Sequence, residues 1–300
     1  MIVITGATGN TGKPATEALL AKGEKVRVIG RDASKLQPFV QKGAEAFVGT
    51  VEDAAFLRKA FQGATAAYLL IPPDLQTNDL RGYQERVVAD YAAAIAEATV
   101  PYVVTLSSVG ADLTEKSGPI VGLHNLEVKL NAIKGLNVLH LRPAGFMENL
   151  FMSVQPLRTM GMLPGPLPAD EPHAMIAGRD IGAYAAERLH ARDFSGSSVQ
   201  ELHGQRDVTM KEVAAVVGNA IGKPKLGYMQ VPFLMLEPAM VQTGLPKSTV
   251  ALMIEMWKSM NSGALKFHEP RNAKNTTPTP IETFIAEVFA PAYSSMAAKA

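Results

Sequence analysis

An α/β fold built on a doubly wound parallel sheet is predicted for this chain, on three observations. Short β-branched and apolar runs alternate with helical patterns through the first half. Those runs are apolar throughout rather than alternating with polar residues, as strands buried on both faces must be. A glycine-rich segment separates the first strand from the first helix. Right-handed crossovers between such units wind helices onto both faces of one sheet.

Taken in order, Ile2-Val3-Ile4-Thr5 reads as a strand that ends in glycines, and residues 13–22 as a helix. Val26-Arg27-Val28-Ile29 is the second strand and 33–42 the second helix. Ala46-Phe47-Val48 is a third strand, followed by a helix from Asp53 to Phe61. The apolar run Ala66 to Ile71 is closed by Pro72-Pro73. Residues 79–98 place Val87, Val88, Tyr91, Ala92 and Ile95 at helical spacing. Tyr102 to Leu106 is a fifth strand, 120–134 a helix, and Val138 to Leu141 a sixth strand.

The pattern loosens after Leu150. Pro156, Gly161, Pro164, Gly165, Pro166 and Pro168 predict an irregular excursion over 156–173. Alternation resumes with a helix from Asp180 to Leu189 and a strand from Ser198 to His203. Thr209 and Glu212 have the spacing of a capping box, followed by a helix that Gly222 and Pro224 stop. Residues 233–260 read as helical and rich in methionine. Thr279 and Glu282 suggest a second capping box, with Pro280 at the first helical position. Ile281, Phe284, Ile285, Val288 and Phe289 form an apolar stripe after it, and Ser294 to Ala300 read as a frayed tail.

At 300 residues the chain is about twice the ~150 residues of a typical domain. Hydrophobic residues at 47% and charged residues at 19% supply a substantial core. The formal net charge of +1 gives no electrostatic footprint for nucleic acid or anionic lipid. With no cysteine, disulfides, thiolate metal sites and thiol nucleophiles are excluded, which fits a cytoplasmic protein. No apolar run approaches the ~18 residues of a membrane span, and a strand starting at Ile2 leaves no room for a leader. The six histidines are dispersed without ligand spacing, so no metal site is expected.

Gly6-Ala7-Thr8-Gly9-Asn10-Thr11-Gly12 carries the most chemistry. Gly6 permits a tight turn, Gly9 lets the backbone approach a diphosphate, and Gly12 lets the helix pack closely on the strand. The helix N-terminus then offers free N–H groups to the phosphates. This is the dinucleotide-binding arrangement of a Rossmann-like domain. At the end of the second strand, Arg31 suits a 2′-phosphate through paired charge-assisted hydrogen bonds, and Lys35 adds a second positive charge. NADPH is therefore expected in preference to NADH. Asp32 is the competing residue: it has the position of a ribose ligand, and also that of an ordinary helix N-cap.

The segments GATGNTG, VIGRD, LSSVGAD, HNLEVKL, LRPAGFMENL and MIAGRDIGAYAAERL resemble the NmrA-like branch of the atypical short-chain dehydrogenases/reductases. The resemblance implies an NAD(P) domain over 1–152 and 175–222, with a smaller, mostly helical substrate region over 153–174 and 223–300. It implies that Gly6, Thr8, Gly9, Asn10, Thr11 and Gly12 hold the phosphates and that Thr50 and Val51 border the adenine. Leu70, Ile71 and Pro72 would line the nicotinamide ribose. Pro143, Ala144, Gly145 and Phe146 would flank the nicotinamide. Ser107 and Ser108 stand where the superfamily has a catalytic hydroxyl, Ser108 being the catalytic candidate and Ser107 a cofactor contact, and Lys129 matches the lysine that holds the nicotinamide ribose and is a catalytic candidate with it. Phe146 and Asn149 would face substrate, with Met235 and Met253 in an adaptable apolar pocket.

The sequence also departs from the superfamily. Its usual proton donor is a tyrosine with a lysine four residues on. None of the seven tyrosines here has that partner. His124 and Asn125 stand near the expected tyrosine position, and His124 has the intrinsic pKa to supply a proton. Ordinary ketone chemistry thus loses support, and acceptors that take hydride readily, such as quinones or cationic dyes, gain it. A dinucleotide sensor without turnover, and a reductase of an imine, enone or carbonyl compound, are the alternatives. A small-molecule acceptor and a monomer or homodimer are expected.

Overall fold

The structure, a computed structural model, describes residues 1–297. The chain begins with five strand-helix units: β1 (Ile2–Ile4), α1 (Gly12–Ala21), β2 (Val26–Gly30), α2 (Ala33–Val40), β3 (Glu45–Val48), α3 (Ala54–Phe61), β4 (Ala66–Leu69), α4 (Leu80–Glu97), β5 (Tyr102–Leu106) and α5 (Ile120–Asn131). After β6 (Asn137–Pro143) it passes through β7 (Gly145–Phe146), a 3₁₀ segment Met147–Ser153, α6 (Val154–Met160), β8 (Leu163–Gly165) and β9 (His173–Ile176). It then returns to the sheet with α7 (Gly178–Ala191) and β10 (Ser197–Leu202). The main sheet has seven parallel strands in the order β10-β6-β5-β4-β1-β2-β3.

The pleat explains how both faces are covered. In β1, Ile2 and Ile4 point into one apolar cluster and Val3 into the other, and all three are fully buried. The first cluster packs Leu19 of α1, Leu36 and Phe39 of α2, and Ile181, Ala185 and Leu189 of α7 on the sheet. The second packs Leu57 and Phe61 of α3, Val87 and Tyr91 of α4, and Leu126 and Leu130 of α5. Each such buried side chain contributes about 1.5–3 kcal/mol of transfer free energy. The fold is thus α/β with a Rossmann-like sheet and a smaller additional region.

That region holds β11 (Asp207–Val208), α8 (Met210–Ala220), β12 (Tyr228–Gln230), α9 (Phe233–Gln242), α10 (Lys247–Asn261), α11 (Ile281–Phe284), a π-helical turn Ile285–Phe289 and α12 (Ala290–Ala297). A third cluster joins Leu150, Val154 and Leu157 to Val213 and Val217 of α8 and to Ile281, Phe284, Ile285 and Phe289. The side chains of α8 thus share a cluster with residues from both sides of the expected division, Met147, Leu150 and Met175 as well as Ile281 and Phe284. Among the described residues no helix is long and apolar enough to cross a membrane.

Several local expectations change. The excursion over 156–173 contains most of α6 and all of β8, and it ends at the first residue of β9. β8 pairs with the distant β12, and β9 lies between β7 and β11. Proline and glycine mark the irregular backbone correctly, but the partners that order it lie far along the chain. Residues 233–260 form two helices, α9 and α10, because Gly244 adopts φ +93° before Leu245-Pro246. The capping box at Thr209 is present, with Glu212 accepting from the Thr209 N–H at 2.7 Å. The second one is not. Thr279 donates its hydroxyl to Asp180 at 2.7 Å, and Glu282 pairs with Arg206 at 2.7 Å. Residues 294–297, expected to fray, belong to α12, and 298–300 lie outside the described residues.

Candidate functional site

A cleft of about 660 Å³ opens at the carboxyl ends of the strands, centred on β1 and β4. These two neighbours carry the chain in opposite directions across the sheet, so their following segments diverge and leave a crevice. Gly6, Thr8, Gly9, Asn10 and Thr11 form its floor, and Ile29 to Arg31 and Gly49 to Glu52 one rim. Leu70 to Pro73, Leu106 to Ser108, Phe146 and Asn149 form the opposite wall. Leu75, Leu80, Tyr83 and Gln84, then Pro119, Ile120 and Leu123, and finally Met256 of α10 close it over.

The floor is built by close backbone contact. Gly6 has φ +60°, and a Cβ there would stand 2.8 Å from the Leu70 side chain. A Cβ on Gly12 would stand 2.2 Å from the Gly6 carbonyl oxygen, so α1 can only start this near the turn with glycine. Thr11 caps α1 without a side-chain bond, and the first turn holds no acidic residue. In that first turn Lys13 donates its N–H to the Gly9 carbonyl and Ala15 to the Thr11 carbonyl, both at 3.1 Å, and Pro14 has no N–H. What an anion in the cleft meets there is the Gly12 N–H and the positive end of the helix dipole. The Thr11 hydroxyl instead accepts from Tyr68, a fully buried phenol that burial holds protonated. A Cβ on Gly182 of α7 would fall 2.3 Å from the Thr11 carbonyl, so α7 braces the loop from behind.

On the rim, Arg31 is exposed and has no salt bridge among the described residues. Asp32 is engaged locally: its carboxylate accepts from the Ser34 N–H at 2.9 Å and the Ser34 hydroxyl at 2.6 Å. Those two bonds hold its carboxyl below the usual range. Lys35 is exposed on α2 and does not line the cleft. Glu52 brings a carboxylate to the same rim. Burial, with Glu52 and Asp74 adding to it, pushes the Tyr83 phenol up to about 12.

The opposite wall is pinned from below. The Thr5 hydroxyl donates to the Tyr68 carbonyl and accepts from the Leu70 N–H, both at 3.0 Å. Tyr91 donates to the Leu70 carbonyl at 2.8 Å and Tyr83 to the Pro72 carbonyl at 2.9 Å. Ser107, 3% exposed, donates its hydroxyl to Glu127 at 2.5 Å. Glu127 is 5% exposed and accepts from two guanidinium nitrogens of Arg142, at 3.0 and 2.6 Å. Ser108 turns its hydroxyl to the Val109 carbonyl at 2.9 Å.

Several expected site residues come together here: Gly6, Thr8, Gly9, Asn10, Thr11, Arg31, Thr50, Val51, Leu70, Ile71, Pro72, Ser107, Ser108, Phe146 and Asn149 all line the cleft. Gly12 lies behind them as a packing residue. Others stand apart. Lys129 is exposed in the last turn of α5, about 200° around the helix from the inward-facing Glu127. His124 donates Nδ1–H to the Ala111 carbonyl at 2.8 Å and tethers that loop instead of facing the cleft. Pro143 and Ala144 are buried beneath the wall, and Gly145 pairs with β9. Met235 is 64% exposed on α9, and Met253 packs against Val250, Ile254 and Trp257. Met256, one turn further along α10, is the methionine that reaches the cleft.

The expectations omitted Glu52, Tyr83, Gln84, Ile120, Leu123, Met256 and the Glu127–Arg142 pair. One signal for Glu127 exists in the sequence. It occupies the buried stripe of α5 between Leu126 and Leu130, where a lone carboxylate requires a partner. Nothing in the spacing identifies Arg142 as that partner.

The sequence profile of the NmrA-like family matches residues 1–291. A search among curated protein sequences finds no match. Among solved structures, the NADPH-dependent quinone oxidoreductase QOR2 of Escherichia coli, complexed with NADPH, has TM-score 0.81 at 24% identity, covering 96% of this chain and 100% of that one. The triphenylmethane reductase of Citrobacter sp., complexed with NADP(H), has TM-score 0.74 at 20% identity, covering 94% and 98%. A structure from work on pinoresinol-lariciresinol and phenylcoumaran benzylic ether reductases has TM-score 0.68 at 14% identity, covering 95% and 97%. These likenesses bear on the fold, and with a profile match over nearly the whole length the chain belongs to the NmrA-like family.

Proposed function

We propose that this protein is an NADPH-dependent reductase that passes hydride to a flat, conjugated acceptor of the quinone type. The observation that carries the reading is the continuity of the cleft. A glycine floor at the start of α1 runs directly into an apolar chamber walled by Leu75, Tyr83, Ile120, Leu123, Phe146 and Met256. The residues present fit a dinucleotide, because the floor is a tight turn of bare backbone at the start of α1, held closed by glycines whose Cβ atoms would clash at 2.8 Å with Leu70 and at 2.2 Å with the Gly6 carbonyl. Gly6 to Thr11 would hold its diphosphate, and Arg31 its 2′-phosphate. NADPH, when bound, supplies the hydride. The chain's own work is to bind, to orient two planar groups against each other and to exclude water. The NADPH and NADP(H) complexes of the structural neighbours support the choice of cofactor.

The test is NADPH oxidation by purified protein with a panel of quinones, dyes, enones and carbonyl compounds. Oxidation above background with quinones is expected. Measured NADPH binding with no oxidation of any acceptor would overturn the reading. One observation favours a second reading, a dinucleotide sensor. The tyrosine that lines the cleft, Tyr83, is tied to Pro72 and pushed up to about 12, so among the described residues no tyrosine poised to give a proton faces the chamber. Binding without turnover is what that reading expects.

A further inference from the structure

We infer that Ser107 is a fixed hydrogen-bond acceptor for the ligand and that the buried Glu127–Arg142 pair is the positioning device that makes it so. The inference rests on the dinucleotide reading above and names a contact within that site. A serine hydroxyl has one proton and two lone pairs. The Ser107 proton is committed to Glu127 Oε1 at 2.5 Å. Glu127 cannot return a proton, because both of its oxygens already accept from the Arg142 guanidinium, at 3.0 and 2.6 Å. Arg142 is held in turn by Asp112 at 3.6 Å, with 12% of its side chain exposed. The hydroxyl therefore cannot rotate to donate without abandoning a buried carboxylate.

Ser107 lines the cleft at the end of β5 beside Leu106 and Ser108. Its free lone pairs are the polar feature that it offers to a ligand. The partner they fit is an N–H or O–H donor, and a carbonyl or phosphate oxygen is disfavoured there. On a nicotinamide dinucleotide two groups have that chemistry: the carboxamide NH₂ of the nicotinamide and a ribose hydroxyl. This gives the cofactor contact expected of Ser107 a direction, that of an acceptor, and separates it from the catalytic hydroxyl that the wider superfamily places along Ser107-Ser108.

Binding by the full-length protein distinguishes these cases, with NADPH and its acetylpyridine analogue, whose acetyl group has no N–H. Ser107→Ala is expected to weaken NADPH binding about three- to tenfold, the worth of one neutral hydrogen bond. If the carboxamide is the partner, the analogue loses nothing on Ser107→Ala. If a ribose hydroxyl is the partner, both ligands lose the same factor. Unchanged NADPH affinity in Ser107→Ala overturns the inference. The positioning role is read from a double-mutant cycle. Glu127→Gln, or Glu127→Asp as the variant that keeps the Arg142 charge pair, should weaken NADPH binding in the Ser107 background and not in the Ser107→Ala background. Equal losses in both backgrounds mean a merely structural pair and overturn the positioning role. Absence of dinucleotide binding by the unmodified protein would instead sink the underlying reading.

Discussion

At the scale of single residues, Arg31 and Asp32 divide their tasks by hydrogen bonding. The Asp32 carboxylate is consumed by Ser34 at the start of α2, while Arg31 stays at the rim of the cleft without an ion pair among the described residues. Arg31→Ala should weaken NADPH binding about tenfold or more and change NADH binding by less than about twofold, since charge-assisted bonds to a phosphate are the ones removed. Fluorescence titration with both dinucleotides checks this. His140 carries a second consequence. Its Nε2–H donates to Asn131 at 2.9 Å and its Nδ1 accepts from Thr105 at 2.8 Å, so the ring is buried neutral. Burial lowers its pKa to about 4. An unfolded histidine titrates near 6.5, so the unfolded chain binds the extra proton first. The stability that His140 contributes is complete above about pH 6.5 and is lost as the pH falls toward 4, a loss of order 3 kcal/mol. Urea unfolding of the protein and of His140→Gln between pH 4 and 7 should show a steeper fall in the parent.

At the scale of elements, the segment leading into α11 shows how a motif can be read correctly in residue type and wrongly in partner. Thr279 and Glu282 have capping-box spacing, yet Thr279 gives both of its bonds to the Asp180 carboxylate, its N–H donating at 3.0 Å and its hydroxyl at 2.7 Å. Asp180 is 7% exposed. Thr279→Ala therefore strips one partner from a buried carboxylate and should cost about 1–3 kcal/mol. Glu282 meets Arg206 on the exposed surface, with half of the Glu282 side chain in solvent, and Glu282→Ala should cost less than about 1 kcal/mol. Equal losses in thermal melting would contradict this division.

At the scale of the whole molecule, the sheet is not complete until residue 202. β10 pairs along β6 from Ser197 to Leu202, and α7 packs Ile181, Ala185 and Leu189 on the face beside α1. A fragment of residues 1–152 therefore exposes one whole edge and an apolar sheet face. It is expected to show no cooperative unfolding transition by circular dichroism, and a sharp transition would show that the amino-terminal units are self-sufficient. The same long-range closure explains the cleft. Its floor comes from the first dozen residues, while Met256 of its cover comes from α10.

The sequence by itself determined the units and their order. Apolar strands, helix starts and the GATGNTG turn are local signals, because pleat, capping and left-handed backbone depend on residues within one turn of each other. It also determined the end of the sheet at which the cleft opens, since the glycine turn follows β1. Only the tertiary structure decided which side chains of a helix or loop face that cleft. Lys129 and His124 are near Glu127 in sequence, yet Glu127 alone of the three reaches Ser107, because α5 turns one stripe inward. Likewise Met256 and not Met253 or Met235 meets the cleft, a choice made by how α9 and α10 settle on the sheet's carboxyl edge. Packing between distant segments has no short-range signature, and that is where the chemistry of this site was assigned.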